Sequence, residues 1–168
     1  MDIVYRKMDF GDVSECTELR KAALIENGER PDADIDGALA GYYNAHLGDG
    51  SFVSWLAILG GGIIATSGMS FVEKPPYFAC PSGRIGLLSS MYTKPEHRRK
   101  GVAGRLLGMV VEEARKHGCC AVQITASDVG VLLYQNFGFT KTRGFYISNF
   151  RFYLKRRLLW RTGNPDCT

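Results

Sequence analysis

The sequence contains no apolar run near the roughly 18–20 residues needed to cross a bilayer. Its opening stretch, MDIVYRKMDF, lacks the apolar segment of a signal peptide. Five cysteines (Cys16, Cys80, Cys119, Cys120 and Cys167) include no Cys-x-x-Cys pair. That spacing indicates neither a zinc site nor a disulfide framework, so no metal, reduced thiols and a cytoplasmic location are expected. There is no Gly-Lys dipeptide, which excludes a Walker A loop. Charge of one sign is also scarce: 21 Lys and Arg face 17 Asp and Glu, a net charge of +4. So mild an excess makes a nucleic-acid partner an unfavoured reading. Internal repeats, linkers and low-complexity segments are absent, so residues 1–168 read as one domain, with about 160–168 a frayed tail.

What is present suffices for a core without staples: 168 residues, 45% hydrophobic and 23% charged. A short strand is expected over Ile3–Arg6 and a capped helix over Val13–Glu26, stopped by Asn27-Gly28. A second helix should run from Asp34-Ile35-Asp36 to about Leu47, with Leu39, Tyr42, Tyr43 and Leu47 at helical spacing. Phe52–Leu59 and Ile63–Val72 read as a hairpin through Gly60-Gly61-Gly62. After a proline-rich loop, Arg84–Thr93 is the next strand, and Val102–His117 carries the clearest apolar stripe. Cys119–Thr125 reads as a buried strand, Val129–Asn136 as a short helix, and Phe139–Arg143 and Tyr146–Leu154 as closing strands. The order predicts an α/β fold: a mixed sheet of about six to seven strands with about four helices on its faces.

The most informative stretch is Leu87–Gly104, LLSSMYTKPEHRRKGVAG. It places a strand, a proline stop and a basic, glycine-bearing turn ahead of the best helix. The first N–H groups of a helix lack intrahelical partners and carry the positive dipole end. Gly101 removes a Cβ that would hold an anion off the backbone, Ala103 and Gly104 keep the surface low, and Arg98, Arg99 and Lys100 add charge. A phosphate or pyrophosphate is the natural guest.

Arg98-x-x-Gly101-x-Ala103, together with Leu133-Tyr134-x-x-x-Gly138-Phe139 at the expected distance, resembles the signatures of the GNAT superfamily of N-acetyltransferases. The resemblance implies a GNAT fold whose sheet splays to admit acetyl-CoA as co-substrate. It implies that backbone groups of Arg99, Lys100, Gly101, Val102, Ala103 and Gly104, with Arg98 beginning the motif, hold the pyrophosphate. Met91, Tyr92 and Thr93 would run along the pantetheine, and open N–H groups at the splay would polarise the thioester carbonyl. Tyr134 corresponds to the family tyrosine that serves as general acid at the sulfur. Where many members carry Asn to contact pantetheine, this chain has Ser127; where they carry Ala, it has Gly130, which points to a less rigid helix.

The chain offers no obvious general base. Ser89 and Ser90 occupy the expected strand positions and are not competent bases, which leaves Glu73, Glu26 or a water chain; histidine is a suitable residue type for a base, but His46 and His97 are not favoured. Six acids between Glu26 and Asp49, with one base and the pair Tyr42-Tyr43, suggest a cationic acceptor, a small-molecule amine or a peptide. Two alternatives stand beside the acetyltransferase: a non-catalytic acyl-CoA-binding regulatory module, and a toxin that acetylates charged tRNA through the basic tail Arg151–Arg161. A homodimer is compatible with the sequence.

Overall fold

The computed structural model describes residues 2–124, 130–142 and 145–149. Seven strands form one sheet in the order β1-β2-β3-β4-β5-β7-β6, with β1 Val4–Lys7, β2 Phe52–Leu59, β3 Gly62–Glu73, β4 Arg84–Thr93, β5 Ala121–Ile124, β6 Thr140–Thr142 and β7 Phe145–Asn149. Every neighbouring pair is antiparallel except β4 and β5, which run parallel. Only a parallel pair needs a crossover, and α3, Val102–Lys116, supplies it. The α/β expectation, the strand number and the four helices agree with the structure.

Helix α3 packs across β2, β3 and β4 and is the centre of the larger core. Its Val102, Leu106, Leu107, Val110, Val111 and Ala114 are buried against Val53, Met69, Leu88 and Val122 among others. Each such side chain stabilises the fold by about 1.5–3 kcal/mol. On the other face, α1 (Val13–Glu26) and α2 (Asp36–Gly48) bury Cys16, Leu19 and Tyr43 over Phe52, Leu56 and Ile63. The fourth helix, α4, is Val131–Phe137, closed by a left-handed Gly138. No helix among the described residues is long and apolar enough to cross a bilayer.

The cysteines differ from expectation. Cys80, in the β3–β4 loop, and Cys120, just before β5, form a disulfide across 40 residues, with Cα atoms 5.5 Å apart. The sequence concealed it because the pairing depends on β5 returning alongside the start of β4. Cys16 and Cys119 are free and buried; burial pushes their thiols up to about 12 and about 11 respectively.

Candidate active site

Two features of β4 build the site. The first is a divergence. Pairing with β5 is recorded at Ile85↔Ala121, Gly86↔Val122 and Leu87↔Gln123, while Ile124 continues to pair with Tyr146 of β7. The expected splay therefore lies beyond Leu87 among the described residues. The second is a bulge that the sequence reading missed. Gly68 faces Ser89 and Thr66 faces Tyr92, so Ser67 alone stands opposite Ser90 and Met91. Ser90 takes a left-handed φ of 51°, unusual for a residue with a Cβ. The bulge shows again in the packing: Leu88 and Met91 belong to the same core cluster although three residues apart, which a regular strand forbids.

The bulge inverts which backbone groups face the divergence. The Cys120 N–H donates to Arg84 O at 3.0 Å, so even-numbered residues of early β4 turn toward β5. The Lys94 N–H donates to Ile64 O at 2.9 Å, so beyond the bulge even-numbered residues turn toward β3. Met91 and Thr93 then present their backbone groups to the open side.

At the end of β4 the chain passes through a 3-10 turn, Pro95–His97, into α3. Arg99 and Gly101 are both left-handed, with φ of 60° and 77°. No side chain caps α3, and its first intrahelical bond is Arg105 N–H to Gly101 O. The Val102, Ala103 and Gly104 N–H groups precede that bond. A cleft of about 480 Å3 opens there. Met91, Tyr92, Thr93, Arg98, Arg99, Gly101, Val102, Ala103, Gly104 and Tyr134 all line it. Lys100 does not line it; its Nζ folds back to Glu96 O at 2.9 Å. Ser127 lies outside the described residues.

The sequence did not anticipate the far wall. Ala23, Glu26 and Asn27 from the end of α1, and Leu132, Leu133 and Asn136 from α4, complete the cleft. Arg98 is less a free cation than a brace. Its Nε donates to Thr93 O at 2.8 Å, and its guanidinium pairs with Glu26 at 2.6 Å. The Glu26 hydrogen bond, opposed by desolvation, raises its pKa further. The brace ties the turn to the end of α1.

Tyr134 is 5% exposed, with its ring edge-on to Phe139 at 5.7 Å. Burial pushes its phenol up to about 12, so it stays protonated throughout the neutral range. Gly130 has a purpose other than loosening the helix. A Cβ there would come within 2.7 Å of the Tyr134 ring, so glycine gives the ring its seat.

Both carboxylates considered as bases are engaged elsewhere. Glu73 stands opposite Arg84 and pairs with it at 3.3 Å. Met91 lies roughly 23 Å further along the strand at the usual rise per residue, so Glu73 is excluded as the base. Glu26 holds Arg98 at the α3 end of the cleft.

The acidic segment is also partly spent. Beside Glu26, the Asp34 side chain accepts from the Asp36 N–H, Asp36 pairs with Lys21 at 2.7 Å, and Asp49 accepts from Ser51. Glu29 and Asp32 are exposed. Tyr42 is 37% exposed, bonds Ser70 Oγ at 2.7 Å and packs on His46, beside an open strip of sheet where Leu87 is 42% exposed. A second cavity, of about 420 Å3, lies between Trp55 and α3, away from this strip. Its lining includes Glu113, which pairs with Lys7 and Lys116. Among the described residues no group of three or more His, Cys, Asp or Glu is placed to hold a metal ion.

Residues 14–139 match the family model for the acetyltransferase (GNAT) family. A protein from Clostridium acetobutylicum, described as a predicted acetyltransferase and crystallised with acetyl-CoA, is 35% identical, with 84% of this chain and 92% of that one covered and a TM-score of 0.81. A GCN5-related N-acetyltransferase from Ralstonia eutropha JMP134 is 24% identical over 84% of this chain and 94% of its own, with a TM-score of 0.78. The PaiA N-acetyltransferase of Thermoplasma acidophilum, in complex with coenzyme A, is 16% identical over 88% and 97%, with a TM-score of 0.67. The last two likenesses are of fold. No curated protein matches the chain.

Proposed function

This chain belongs to the GNAT family of acetyltransferases, and we propose that it transfers the acetyl group of acetyl-CoA to a primary amine by direct attack in a ternary complex. The observation that carries the reading is the single cleft joining a bare helix N-terminus, the outward-facing end of β4 and a buried tyrosine. These residues fit coenzyme A. The N–H groups of Val102, Ala103 and Gly104 suit a pyrophosphate, and Met91 and Thr93 offer strand-like backbone pairing to an extended, amide-bearing arm. Acetyl-CoA supplies an acyl group activated as a thioester.

In this reading the Met91 N–H stabilises charge on the carbonyl oxygen. Tyr134 donates a hydrogen bond to the departing sulfur. A phenol near 12 is a much weaker acid than a thiol of ordinary pKa, about 8.5, so hydrogen-bond stabilisation is favoured over complete proton transfer. With Glu73 remote and Glu26 paired, the incoming amine loses its proton to water along the open strip.

The acceptor in this proposal is a cationic small molecule or peptide. The support is narrower than the acidic composition alone: exposed Glu29 and Asp32, and the Tyr42–His46 wall. Cytoplasmic placement follows from the co-substrate, and there Cys80 and Cys120 would be reduced for most of the protein's life.

The test is coenzyme A release across a panel of polyamines, aminoglycoside-like amines, basic peptides and neutral amino acids. Wild type should prefer the cationic amines, and Tyr134→Phe should lower kcat by about 100-fold with little change in the KM for acetyl-CoA. Tight acetyl-CoA binding with no turnover on any amine would favour the regulatory module. Transfer to charged tRNA alone would favour the toxin reading, whose basic tail lies outside the described residues.

A further inference from the structure

Ser90 is the residue at which β4 reverses its backbone parity, and a left-handed serine needs support from its surroundings. That support comes from β3. The Thr66 hydroxyl donates to Ser90 O at 2.6 Å, capturing the carbonyl that the bulge removes from the ladder. Thr66 is buried, so in the folded protein water does not compete for this bond, and losing it would strand a buried polar group. Two residues on, Gly68 makes room. A Cβ there would stand 3.2 Å from Ser90 Cβ and 2.8 Å from the Phe52 ring, pressing the bulge from below. Tyr43 backs the same spot: its ring packs on Phe52 at 5.5 Å, and its phenol, pushed up by burial, is drawn partly back by the Ser90 side chain.

We propose that Thr66 and Gly68 are positioning residues for acetyl transfer: they hold Ser90 left-handed, and so keep the Met91 N–H turned to the open side of β4, where it meets the thioester carbonyl. The inference rests on the proposed function and adds what that reading lacks, the reason the β4 backbone is pre-set before acetyl-CoA arrives. Neither residue touches the reacting atoms in this proposal. Both act through the Ser90–Met91 peptide.

The adjacent hydroxyl provides an internal control. Ser67 is fully buried, stands opposite the bulge, and its Oγ has no hydrogen-bond partner among the described residues. Ser67 thus gives a buried hydroxyl next to the bulge that, unlike Thr66, makes no bond to Ser90.

The experiment measures four things on Thr66→Val, Thr66→Ser, Gly68→Ala and Ser67→Ala: kcat, the affinity for free coenzyme A, the thermal unfolding midpoint, and the infrared carbonyl band of bound acetyl-CoA labelled with 13C at the acetyl carbonyl. Thr66→Val and Gly68→Ala should lower kcat by about tenfold or more, since one lost oxyanion donor costs about 100- to 1000-fold and here it is misaimed, not deleted. The bound carbonyl band should move toward its position in free acetyl-CoA, while coenzyme A affinity, to which the Met91 backbone also contributes, falls by less than kcat does; the thermal unfolding midpoint reports that the fold is intact. Thr66→Ser should retain the wild-type band and rate, and so should Ser67→Ala.

Ser90→Gly supplies the decisive background. Glycine adopts the left-handed conformation without support, so adding Thr66→Val to Ser90→Gly should cost much less than Thr66→Val costs alone. An unchanged band and rate in Thr66→Val with coenzyme A affinity retained would overturn the proposal, as would an equal loss in both backgrounds. If Thr66→Val or Gly68→Ala does not fold, the cycle is run with Tyr43→Phe, under the same two criteria. Wild type that transfers acetyl normally while these variants behave like it defeats the positioning role alone. Wild type that binds acetyl-CoA and transfers to nothing defeats the proposed function instead.

Discussion

From Arg84 to Leu87, β4 has a strand on both sides, β3 antiparallel and β5 parallel. The Arg84–Glu73 ion pair and, under oxidising conditions, the Cys80–Cys120 disulfide fasten that end. From Ser89 to Thr93 the same strand is bulged, pairs among the described residues with β3 alone, and runs into a turn with two left-handed residues. One half satisfies its backbone within the sheet and is built for stability. The other turns the Met91 and Thr93 N–H groups toward its open side, while Ser90 O accepts from Thr66 and Thr93 O from Arg98. The contrast separates what should change stability from what should change turnover.

The largest effect should fall on the fastened half. Cys80→Ser opens a closed loop of 40 residues and should lower stability under oxidising conditions by about 3–4 kcal/mol on chain-entropy grounds, read as a fall in unfolding midpoint, with the KM for acetyl-CoA unchanged. A matching fall for wild type on adding a dithiol reductant would sharpen the assignment; equal midpoints in all four conditions would break it.

Next comes the open half. Gly101→Val places a β-branched residue at φ 77° and a Cβ in the space above the turn. The KM for acetyl-CoA should rise about 10- to 100-fold, with strain costing about 1–3 kcal/mol. Titration calorimetry with coenzyme A would check it, and an unchanged affinity would count against an anion seat at α3. A smaller effect is expected from Gly130→Ala. Its Cβ meets the Tyr134 ring, so kcat should fall by about tenfold while coenzyme A affinity holds.

The smallest effect tests independence from β4. Asp12 is held below the ordinary carboxylate range by the Arg6 guanidinium, against desolvation, with help from the Asp9 N–H. Burial pushes Glu113 up, and hydrogen bonds from Lys7 and Lys116 more than reverse it. Lowered pKa values mean stability that is present above the ordinary carboxylate range and lost as pH falls through the folded values. Acidification below about pH 4 should remove about 1 kcal/mol through Asp12, and Asp12→Asn should flatten that slope without altering coenzyme A affinity at neutral pH. Urea midpoints between pH 3 and 7 would show it.

Much of this molecule was legible in order. Helix α1 and strands β2 and β4 span the expected residues because periodicity, glycines and prolines act within a few residues, although the expected Asp12 cap makes no side-chain bond to α1; the capping box is Asp9 with Asp12 on the preceding 3-10 turn. The α3 turn was legible for the same reason: an uncapped helix start behind basic residues and Gly101 is local chemistry. The misses are contacts that local propensity does not report, most of them between residues distant in sequence. Glu26 reads as a free acid until α1 meets Arg98 across 72 residues. Glu73 looks close to the site in sequence and lies at the wrong end of β4. Gly130 reads as a weak helix former until the Tyr134 ring is seen to need its space.

By itself the sequence determined the element order and the basic, glycine-bearing start of α3, since each follows from backbone propensity, periodicity and spacing within a short window; Tyr134 was singled out by its resemblance to the family motif. Tertiary structure alone decided that β4 changes parity at Ser90, that Thr66 and Gly68 support that change, and that Cys80 meets Cys120. The reason is physical. Hydrogen bonds, close approach and disulfides depend on distances between strands, and those distances exist only once α3 has carried β5 back alongside β4.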